Sequence, residues 1–275
     1  MRVIRHVAHA GPAARPRVVA AGEFDGVHRG HQRVLAGVVA RARAIGGETA
    51  VVVARAAPGI PRISDVRQQL ELLGAAGIAL VVFAPGADVD PALRQLGAAV
   101  HLTARAGAAA QGATLERIAA LELGGEPVTA QAIRAALLRG DLEAARARLG
   151  RDAGVGGRVV HGFHRGGPLG IPTANLRVRG IQLPPDGVYA VRARVAGAAL
   201  GGVANIGFNP TFGNRTRTVE THLLDFSGDL YGRRLEIAFV ARLRGEQTFP
   251  DVQALLAQIR SDIAAARRVL GQHGG

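Results

Sequence analysis

The sequence predicts two consecutive domains of different class: an α/β domain with a parallel sheet, then an antiparallel β-barrel that ends in a helix. Two observations support this division. Strand-like and helix-like segments alternate over residues 1–153, whereas short strands separated by turn residues fill most of residues 154–275. The first pattern is typical of a parallel sheet with helical crossovers, and the second is typical of a closed antiparallel sheet.

The first domain is predicted from hydrophobic periodicity. Apolar residues at positions 34, 35, 38, 42 and 45 share one helical face, and Gly46 and Gly47 end that helix. Uninterrupted apolar runs such as TAVVVA are typical of buried parallel strands. The predicted strands cover residues 17–21, 49–54 and 78–83, and the predicted helices cover 31–45, 64–73, 129–138 and 142–149.

The second domain shows a change of period after the glycine-rich hinge at 154–157. Five short strands are separated by Gly, Pro, Asn and Asp turns, and they contain the segments GRVVHGF, VYAVRARV, LGGVANI, TVETHLL and RLEIAFVARL. A single helix is predicted afterwards, over residues 250–270. Closely spaced strands and one late helix indicate an antiparallel barrel.

Composition excludes several kinds of chemistry. The 275 residues include no cysteine and no lysine, so all 34 basic residues are arginine. Disulfides, thiolate nucleophiles, Schiff-base catalysis and the lysine of a Walker-A loop are therefore excluded. If the chain handles ATP, backbone N–H groups, arginine and a metal ion must hold the phosphates.

The net charge of +13 is spread over the chain, with 19 Arg and 13 acidic residues up to residue 156 and 15 Arg and 8 acidic residues after it. We expect anionic small-molecule substrates and no nucleic acid, because aromatic residues for base stacking make up only 4%. No apolar run reaches membrane-spanning length and the first residues do not resemble a secretion signal, so we expect a soluble cytoplasmic protein.

Residues 157–176 combine a glycine-rich segment with oxygen-bearing side chains. Its glycines can bring backbone N–H groups close to an anion; they are Gly162, Gly166, Gly167 and Gly170. Thr173 and Asn175 follow, and a hydroxyl and an amide oxygen are suitable Mg²⁺ ligands. The alternative for the glycines is a simple hairpin with a turn.

Two later segments carry further polar groups. Asn205 and the turn at 209–211 could line the pocket of a flat ligand. Glu220 begins an alternating strand and is followed by His222. The alternative for Glu220 is an ordinary surface charge on a strand.

Together these segments resemble the riboflavin kinase family over residues 157–270. The resemblance rests on the order and spacing of G-x-x-x-H-G, G-x-P-T-A-N-L, G-V-Y, N-I-G-x-x-P-T-F and V-E-x-H-L-L-D-F with D-L-Y-G. The segment AFVARLRGEQTF and a final helix containing Asp262 also fit.

The resemblance implies a role for each matching position. The loop 162–170 would cover the ATP phosphates, and Arg244 would add positive charge near them. Thr173 and Asn175 would bind Mg²⁺, and Glu220 would take the proton of the 5′-hydroxyl of riboflavin. The flavin would be enclosed by four consecutive residues, Asn209, Pro210, Thr211 and Phe212.

The segment GEFDGVHRGH places glycines and two histidines after the first strand, at the start of a helix. Phosphates bind well at helix N-termini, where free N–H groups and the helix dipole point at the ligand. The candidate nucleotide-binding residues are Gly22, Phe24, Asp25, Gly26, His28, Gly30 and His31. The alternative is a capping turn with incidental histidines.

This segment resembles the H-x-G-H nucleotidyltransferase superfamily, and specifically the FAD synthetase module that precedes riboflavin kinase in bacterial bifunctional enzymes. The resemblance implies a Rossmann-like domain that transfers AMP from ATP to FMN. Later family motifs are replaced at 54–58 and 100–112, and at 128–134 little beyond Ile133 and Arg134 remains. The domain is also shorter than usual, so we expect it to be degenerate, with Arg134 retained for phosphate binding.

The sequence therefore predicts a riboflavin kinase that uses ATP and Mg²⁺ and adenylylates FMN poorly. Two alternatives stay open: a fully bifunctional enzyme that produces FAD, and a regulator that binds flavin or nucleotide without turnover. Separation of the reaction products distinguishes them. The sequence does not determine the oligomeric state.

Overall fold

The computed structural model describes residues 1–11, 13–104, 112–160, 171–208 and 217–272. The chain forms two compact units. The first comprises Met1–Ile133 and Arg148–Gly150, and the second comprises Arg134–Ala147 and Arg151–Gly275. The chain thus crosses between the units three times near the predicted boundary of 153 and 154.

The first unit contains a six-stranded sheet in which every described pairing is parallel. Its strands are β1 (Arg2–Ile4), β2 (Arg17–Gly22), β3 (Glu48–Val53), β4 (Leu80–Phe83), β5 (Ala98–Thr103) and β6 (Thr114–Arg117). They lie in the order β1-β4-β3-β2-β5-β6. A two-stranded antiparallel hairpin follows, formed by β7 (Glu122–Leu123) and β8 (Glu126–Pro127). The predicted parallel sheet is confirmed.

Helices cover both faces of this sheet. The helices α1 (Arg29–Ala44) and α2 (Val66–Ala75) pack on one face, against a core that includes Val18, Val51 and Leu102. The short helix α3 (Asp90–Gln95) packs on the opposite face. The sequence did not predict α3, because six residues are too few to establish a helical period.

The strand order places a switch point between β2 and β5. From β2 the chain winds outward to β3 and β4, then returns to the other side of β2 to form β5. Ligands of open parallel sheets bind in the crevice at such a point, outside the carboxyl ends of the strands. The GEFDGVHRGH segment begins at the carboxyl end of β2.

The second unit is a closed barrel of six strands joined by antiparallel pairings. Its strands are β9 (Gly154–Val160), β10 (Ala174–Arg177), β11 (Gly187–Val195), β12 (Ala198–Phe208), β13 (Arg217–Leu223) and β14 (Arg234–Arg244). Their order around the barrel is β10-β13-β12-β11-β14-β9. Alternate residues of every strand fill the interior, as the buried Tyr189, Ile206 and Phe239 show. The predicted barrel is confirmed.

Helices also pack on the barrel. The last helix, α6 (Val252–Gln272), lies against β11, β12 and β14. The helices α4 (Ala130–Leu138) and α5 (Leu142–Leu149) form the predicted pair, but residues 134–147 group with the barrel rather than with the parallel sheet. Leu142 packs against the barrel core. Among the residues that the structure describes, no helix combines the length and the hydropathy needed to cross a bilayer.

Candidate active site

A row of side chains crosses five neighbouring strands of the barrel. Asn175 pairs with Glu220, Glu220 with Asn205, Asn205 with Val188, and Val188 with Arg244. Residues paired across antiparallel strands point to the same face with their Cβ atoms close together. We call these five residues the outer row, because their strand neighbours Ala174, Leu176, Val219 and Thr221 are buried on the inner side.

A cavity of about 970 Å³ lies over four residues of the outer row, Val188, Asn205, Glu220 and Arg244. Glu220, Asn205 and Arg244 line it from the barrel, while Ile259 and Ile263 line it from α6. The strand side carries these polar groups beside the apolar Val188 and Val203, and the helix side is mostly apolar, with Asp262 as its polar member. Such a cavity, with a few convergent polar groups in an otherwise apolar wall, is typical of a small-molecule site.

Arg244 lies in this cavity, bound to the last helix. Its Nε is 3.1 and 3.0 Å from the two carboxylate oxygens of Asp262, and Nη2 is 2.9 Å from Oδ2. Gln258 Nε2 donates to the same carboxylate at 2.8 Å. Because Asp262 is buried, its charge needs this pairing. The predicted phosphate contact of Arg244 stays a prediction, and the observed contact joins β14 to α6.

Thr173 lies just before β10, and Asn175 is the second residue of that strand. Thr173 lines the large cavity, and Asn175 lies directly opposite Glu220. The hydroxyl, the amide oxygen and the carboxylate are hard donors of the kind that Mg²⁺ prefers. The residues present therefore fit a magnesium ion that keeps water or phosphate oxygens as its other ligands.

A second cavity, of about 480 Å³, adjoins the same segment. It is lined by Thr173, Ala174 and Thr221, and by the loop 226–231 that joins β13 to β14. Thr173 lines both cavities. A group held at Thr173 can therefore contact ligands in both.

Several predicted residues lie outside the described residues. They are the four loop glycines Gly162, Gly166, Gly167 and Gly170, and the flavin-loop residues Asn209, Pro210, Thr211 and Phe212. Their roles stay predictions.

In the first unit, the predicted turn positions both histidines at the start of α1. The helix begins two residues earlier than predicted, with His28 as its N-cap residue, and His28 Nδ1 accepts from the backbone N–H of His31 at 3.3 Å. The two imidazole rings stack with centroids 3.6 Å apart. When neutral, a ring that accepts at Nδ1 carries its proton on Nε2, so His28 can donate to an anion.

The turn before α1 is held in place by buried hydrogen bonds to residues 63 and 64. Both carboxylate oxygens of the buried Asp25 accept from the N–H of Ile63, at 2.9 and 3.0 Å, and one also accepts from Ser64 N at 3.3 Å. Ser64 Oγ accepts from Gly26 N in return. Gly26 has φ +70°, and a Cβ there would lie 2.8 Å from Ile63 Cγ2. The turn thus requires glycine at position 26.

Sequence reasoning missed the partners that fix these residues. The predicted helix over 64–73 began at Ser64, but Asp65 is the N-cap of α2 and Ser64 instead supports the turn. Arg134 lies in α4, in the part of that helix that belongs to the second unit. The two-residue spacing of Glu220 and His222 could have placed both on one face, because alternate residues of a strand share a face.

Comparison with known proteins covers both halves of the chain. The family model described as riboflavin kinase matches residues 149–270, and the model described as FAD synthetase matches residues 11–86. Both predicted families are thereby confirmed. The expectation that the first domain is degenerate gains no support from these matches.

Similar proteins extend over almost the whole chain. A bifunctional riboflavin kinase/FMN adenylyltransferase of Pseudomonas fluorescens is 34% identical over 304 aligned positions, which cover 97% of each chain. The protein of the same name from Escherichia coli K12 is 32% identical and covers 98% of each chain. The alignment of 304 positions exceeds the 275 residues of this chain, so the Pseudomonas protein has residues without a counterpart here.

The fold also matches a solved structure. A crystal structure from Streptococcus pneumoniae, described as a macrolide-efflux protein, superposes with a TM-score of 0.83 at 23% identity over 97% of this chain and 98% of that one. At this identity the likeness concerns the fold alone. On the strength of the sequence matches, this chain belongs to the family of bifunctional riboflavin kinase/FMN adenylyltransferases.

Proposed function

We propose that the second unit transfers the γ-phosphate of ATP to the 5′-hydroxyl of riboflavin, and that Glu220 is the base. The observation that carries this proposal is the position of Thr173, which lines both cavities and shares the larger one with Glu220. A kinase must bring two substrates together at one phosphate. Two cavities that adjoin at a potential metal ligand satisfy that requirement.

Riboflavin occupies the larger cavity in this proposal, because that cavity contains Glu220. Its apolar wall on α6 suits a flat ring system, and its polar floor suits the ribityl hydroxyls. ATP occupies the smaller cavity, with its γ-phosphate directed towards Thr173. The part of the site that contains Thr173 and Glu220 is thus where the donor and the acceptor meet.

The reaction forms a bond between the riboflavin 5′-oxygen and the γ-phosphorus, and it breaks the bond from that phosphorus to the β–γ bridging oxygen. ADP leaves, and Glu220 takes the hydroxyl proton. Mg²⁺, bound through Thr173 and Asn175, would neutralise the charge of the phosphates. Asn205, opposite Glu220 in the outer row, can orient the carboxylate or the acceptor hydroxyl.

Replacement of the base tests the proposal. We expect Glu220→Gln to lower kcat for FMN formation by about 10²- to 10⁴-fold, because Gln keeps the shape but cannot accept the proton. Riboflavin binding should be unchanged by fluorescence titration. The control is Glu236→Gln, which removes a strand carboxylate that is ion-paired with Arg234. A Glu220→Gln enzyme with normal kcat would exclude Glu220 as the base.

The metal assignment has its own test. Thr173→Ala and Asn175→Ala should each raise the Mg²⁺ concentration needed for half-maximal FMN formation, and should lower kcat, because the metal stabilises charge in the transition state. Calorimetric titration of Mg²⁺ and ADP should show weaker binding in both variants. If neither variant changes the titration or the activity, these residues are not the ligands.

A second activity, adenylyl transfer from ATP to FMN, is favoured in the first unit by the FAD synthetase match over residues 11–86. His28 and the N-terminus of α1 would bind the phosphates there. The altered segments 54–58 and 100–112 lead us to propose that FAD forms more slowly than FMN, since poor alignment of the acceptor lowers the rate.

Chromatography of riboflavin, FMN and FAD after incubation with ATP and Mg²⁺ tests both activities together. FMN followed by slower FAD formation is the expected result. FAD formation should disappear in His28→Ala while FMN formation continues. FAD formation as fast as FMN formation would contradict the proposed difference in rate, and no FMN would favour a non-catalytic regulator.

A further inference from the structure

One side-chain hydrogen bond connects the strand of Glu220 with the segment that carries Thr173. His222 Nδ1 lies 2.8 Å from the carbonyl oxygen of Pro172. A carbonyl oxygen can only accept, so Nδ1 is the donor and carries a proton. The sequence motifs do not reveal this bond, because it joins residues that lie 50 positions apart.

The bond lies just beyond the end of a strand ladder. β10 and β13 pair from Leu176 with Val219 up to Ala174 with Thr221, where the ladder stops. Pro172 has no N–H and cannot continue the ladder as a donor. Its carbonyl is instead bound by the imidazole of His222, so the side chain extends the strand pairing past the last backbone pair.

The position of this bond matters because a peptide unit is planar. The carbonyl of Pro172 and the N–H of Thr173 belong to one rigid plane. When His222 fixes the carbonyl, it also fixes the direction in which the chain enters Thr173. The backbone that leads into Thr173 therefore rotates less freely, and the Thr173 hydroxyl is held more firmly relative to Glu220.

His222 also lies within the site itself. It is two residues after Glu220, on the same outer face, and both line the large cavity with Thr173. Val203, its partner on β12, is apolar and lines the same cavity. The imidazole is half-buried, while its bond to Pro172 lies at the exposed side of the ring.

We propose that His222 is a positioning residue, which holds Thr173 in the orientation needed for Mg²⁺ binding through the Nδ1–H···O=C bond to Pro172. This inference rests on the proposed metal-binding role of Thr173. Outer contacts that orient a ligand commonly change metal affinity or activity by about 10- to 100-fold when they are removed.

Two other roles would produce different results. If His222 only holds the segment before β10 against β13, its removal lowers the free energy of unfolding without changing Mg²⁺ binding. If Nε2 acts on a substrate, any residue without that nitrogen is inactive. A comparison of Ala and Asn substitutions separates these roles, because the amide nitrogen of Asn can replace Nδ1 as a donor but nothing in Asn replaces Nε2.

The experiment compares His222→Ala and His222→Asn in the full chain, with His9→Ala as a control for loss of an exposed histidine in the first unit. Two quantities are measured: the Mg²⁺ concentration for half-maximal FMN formation, and the dissociation constant of ADP with Mg²⁺ by calorimetry. We expect His222→Ala to raise both by about 10- to 100-fold with an unchanged KM for riboflavin. His222→Asn should recover most of the loss.

Three results would overturn the proposal. One is unchanged Mg²⁺ dependence in His222→Ala while Thr173→Ala alters it. Another is a defect in His222→Asn equal to that of His222→Ala. The third comes from ¹⁵N NMR of the wild-type imidazoles, with the His222 signals assigned by their loss in His222→Asn, if Nδ1 carries no proton.

The ¹⁵N measurement needs no active variant, so absence of the Nδ1 proton would overturn the proposal even if His222→Ala does not fold. The metal assignment fails separately, when Thr173→Ala leaves the Mg²⁺ titration unchanged.

Discussion

The two candidate sites are built in different ways. In the barrel, the functional side chains stand on regular strands, and the register of the ladder sets their spacing, as in the outer row of Asn175, Glu220 and Asn205. In the first unit, they stand on an irregular turn whose shape depends on Asp25 and on the positive φ of Phe24 and Gly26. The first arrangement relies on many backbone hydrogen bonds, whereas the second relies on a few buried contacts.

This difference predicts how each site responds to mutation. A strand ladder distributes its energy over repeated bonds of modest individual strength, so single changes near the outer row should alter chemistry more than structure. The turn depends on one buried carboxylate that satisfies two backbone donors. Loss of that carboxylate should therefore alter structure and chemistry together.

Asp25→Ala should give the largest effect on structure. It leaves the buried N–H groups of Ile63 and Ser64 without their acceptor, at a cost of about 1–3 kcal/mol for each. We expect a lower midpoint for unfolding of the first unit and loss of FAD formation, with FMN formation retained. Calorimetric unfolding and product chromatography measure both.

The control for this prediction is Glu122→Ala, which removes an exposed carboxylate of the same unit. It should change neither quantity. Equal loss of FMN and FAD formation in Asp25→Ala would contradict the prediction, because it would show that a change in the first unit also disables the site in the second unit.

Truncation tests how far the second unit extends, and we expect an intermediate effect. Fragment 134–275 keeps Leu142 on the barrel core, Asp152 bound to Arg192, and the Ala153 carbonyl that accepts from Phe239. Fragment 154–275 loses all three. Full burial of a leucine side chain is worth about 1.5–3 kcal/mol, and Leu142 is partly buried, so the longer fragment should unfold at a moderately higher temperature.

Fragment 151–275 is the matched control, because it restores Asp152 and Ala153 without the helices. It should lie between the other two in thermal midpoint. Identical midpoints for all three fragments would mean that residues 154–275 alone give the barrel its full stability, as the predicted boundary at 153 and 154 implies.

The smallest effect is expected at the exposed ion pair of Asp225 and Arg267, whose shortest separation is 2.6 Å. The hydrogen bond from Arg267 lowers the pKa of Asp225 below its ordinary value of 3.8. A depressed carboxyl pKa contributes stability above the ordinary pKa, and that contribution is lost as the pH falls through the pKa of the folded state.

Arg267→Met should therefore lower the unfolding midpoint slightly at neutral pH and not at all below the pKa of the folded state. Exposed pairs contribute little, so the shift should be small. Arg268→Met, which removes the exposed neighbouring arginine, is the control and should show no such pH dependence. A shift that persists under acid conditions would assign the effect to packing rather than to charge.

Sequence reasoning named Thr173, Glu220 and Arg244, which the structure brings together around one cavity, because the spacing of residues along a strand sets the face on which they lie. Glu220 and His222 are two apart on β13 and so share a face. It did not find the partner of Arg244, because Asp262 is separated from it by the turn into α6. Nor did it assign residues 134–147 to the barrel, since helical periodicity identifies an apolar face but not the surface that the face contacts.

The sequence by itself determined the two fold classes, the absence of cysteine and lysine chemistry, and the identity of the candidate residues. Those properties depend on composition and on the local periodicity of apolar residues, and both can be read directly from the sequence. Only the tertiary structure decided which residues meet: Pro172 with His222, Arg244 with Asp262, and Asp25 with Ile63 and Ser64. These contacts join positions far apart in sequence, and their existence depends on strand order and packing, which local patterns do not specify.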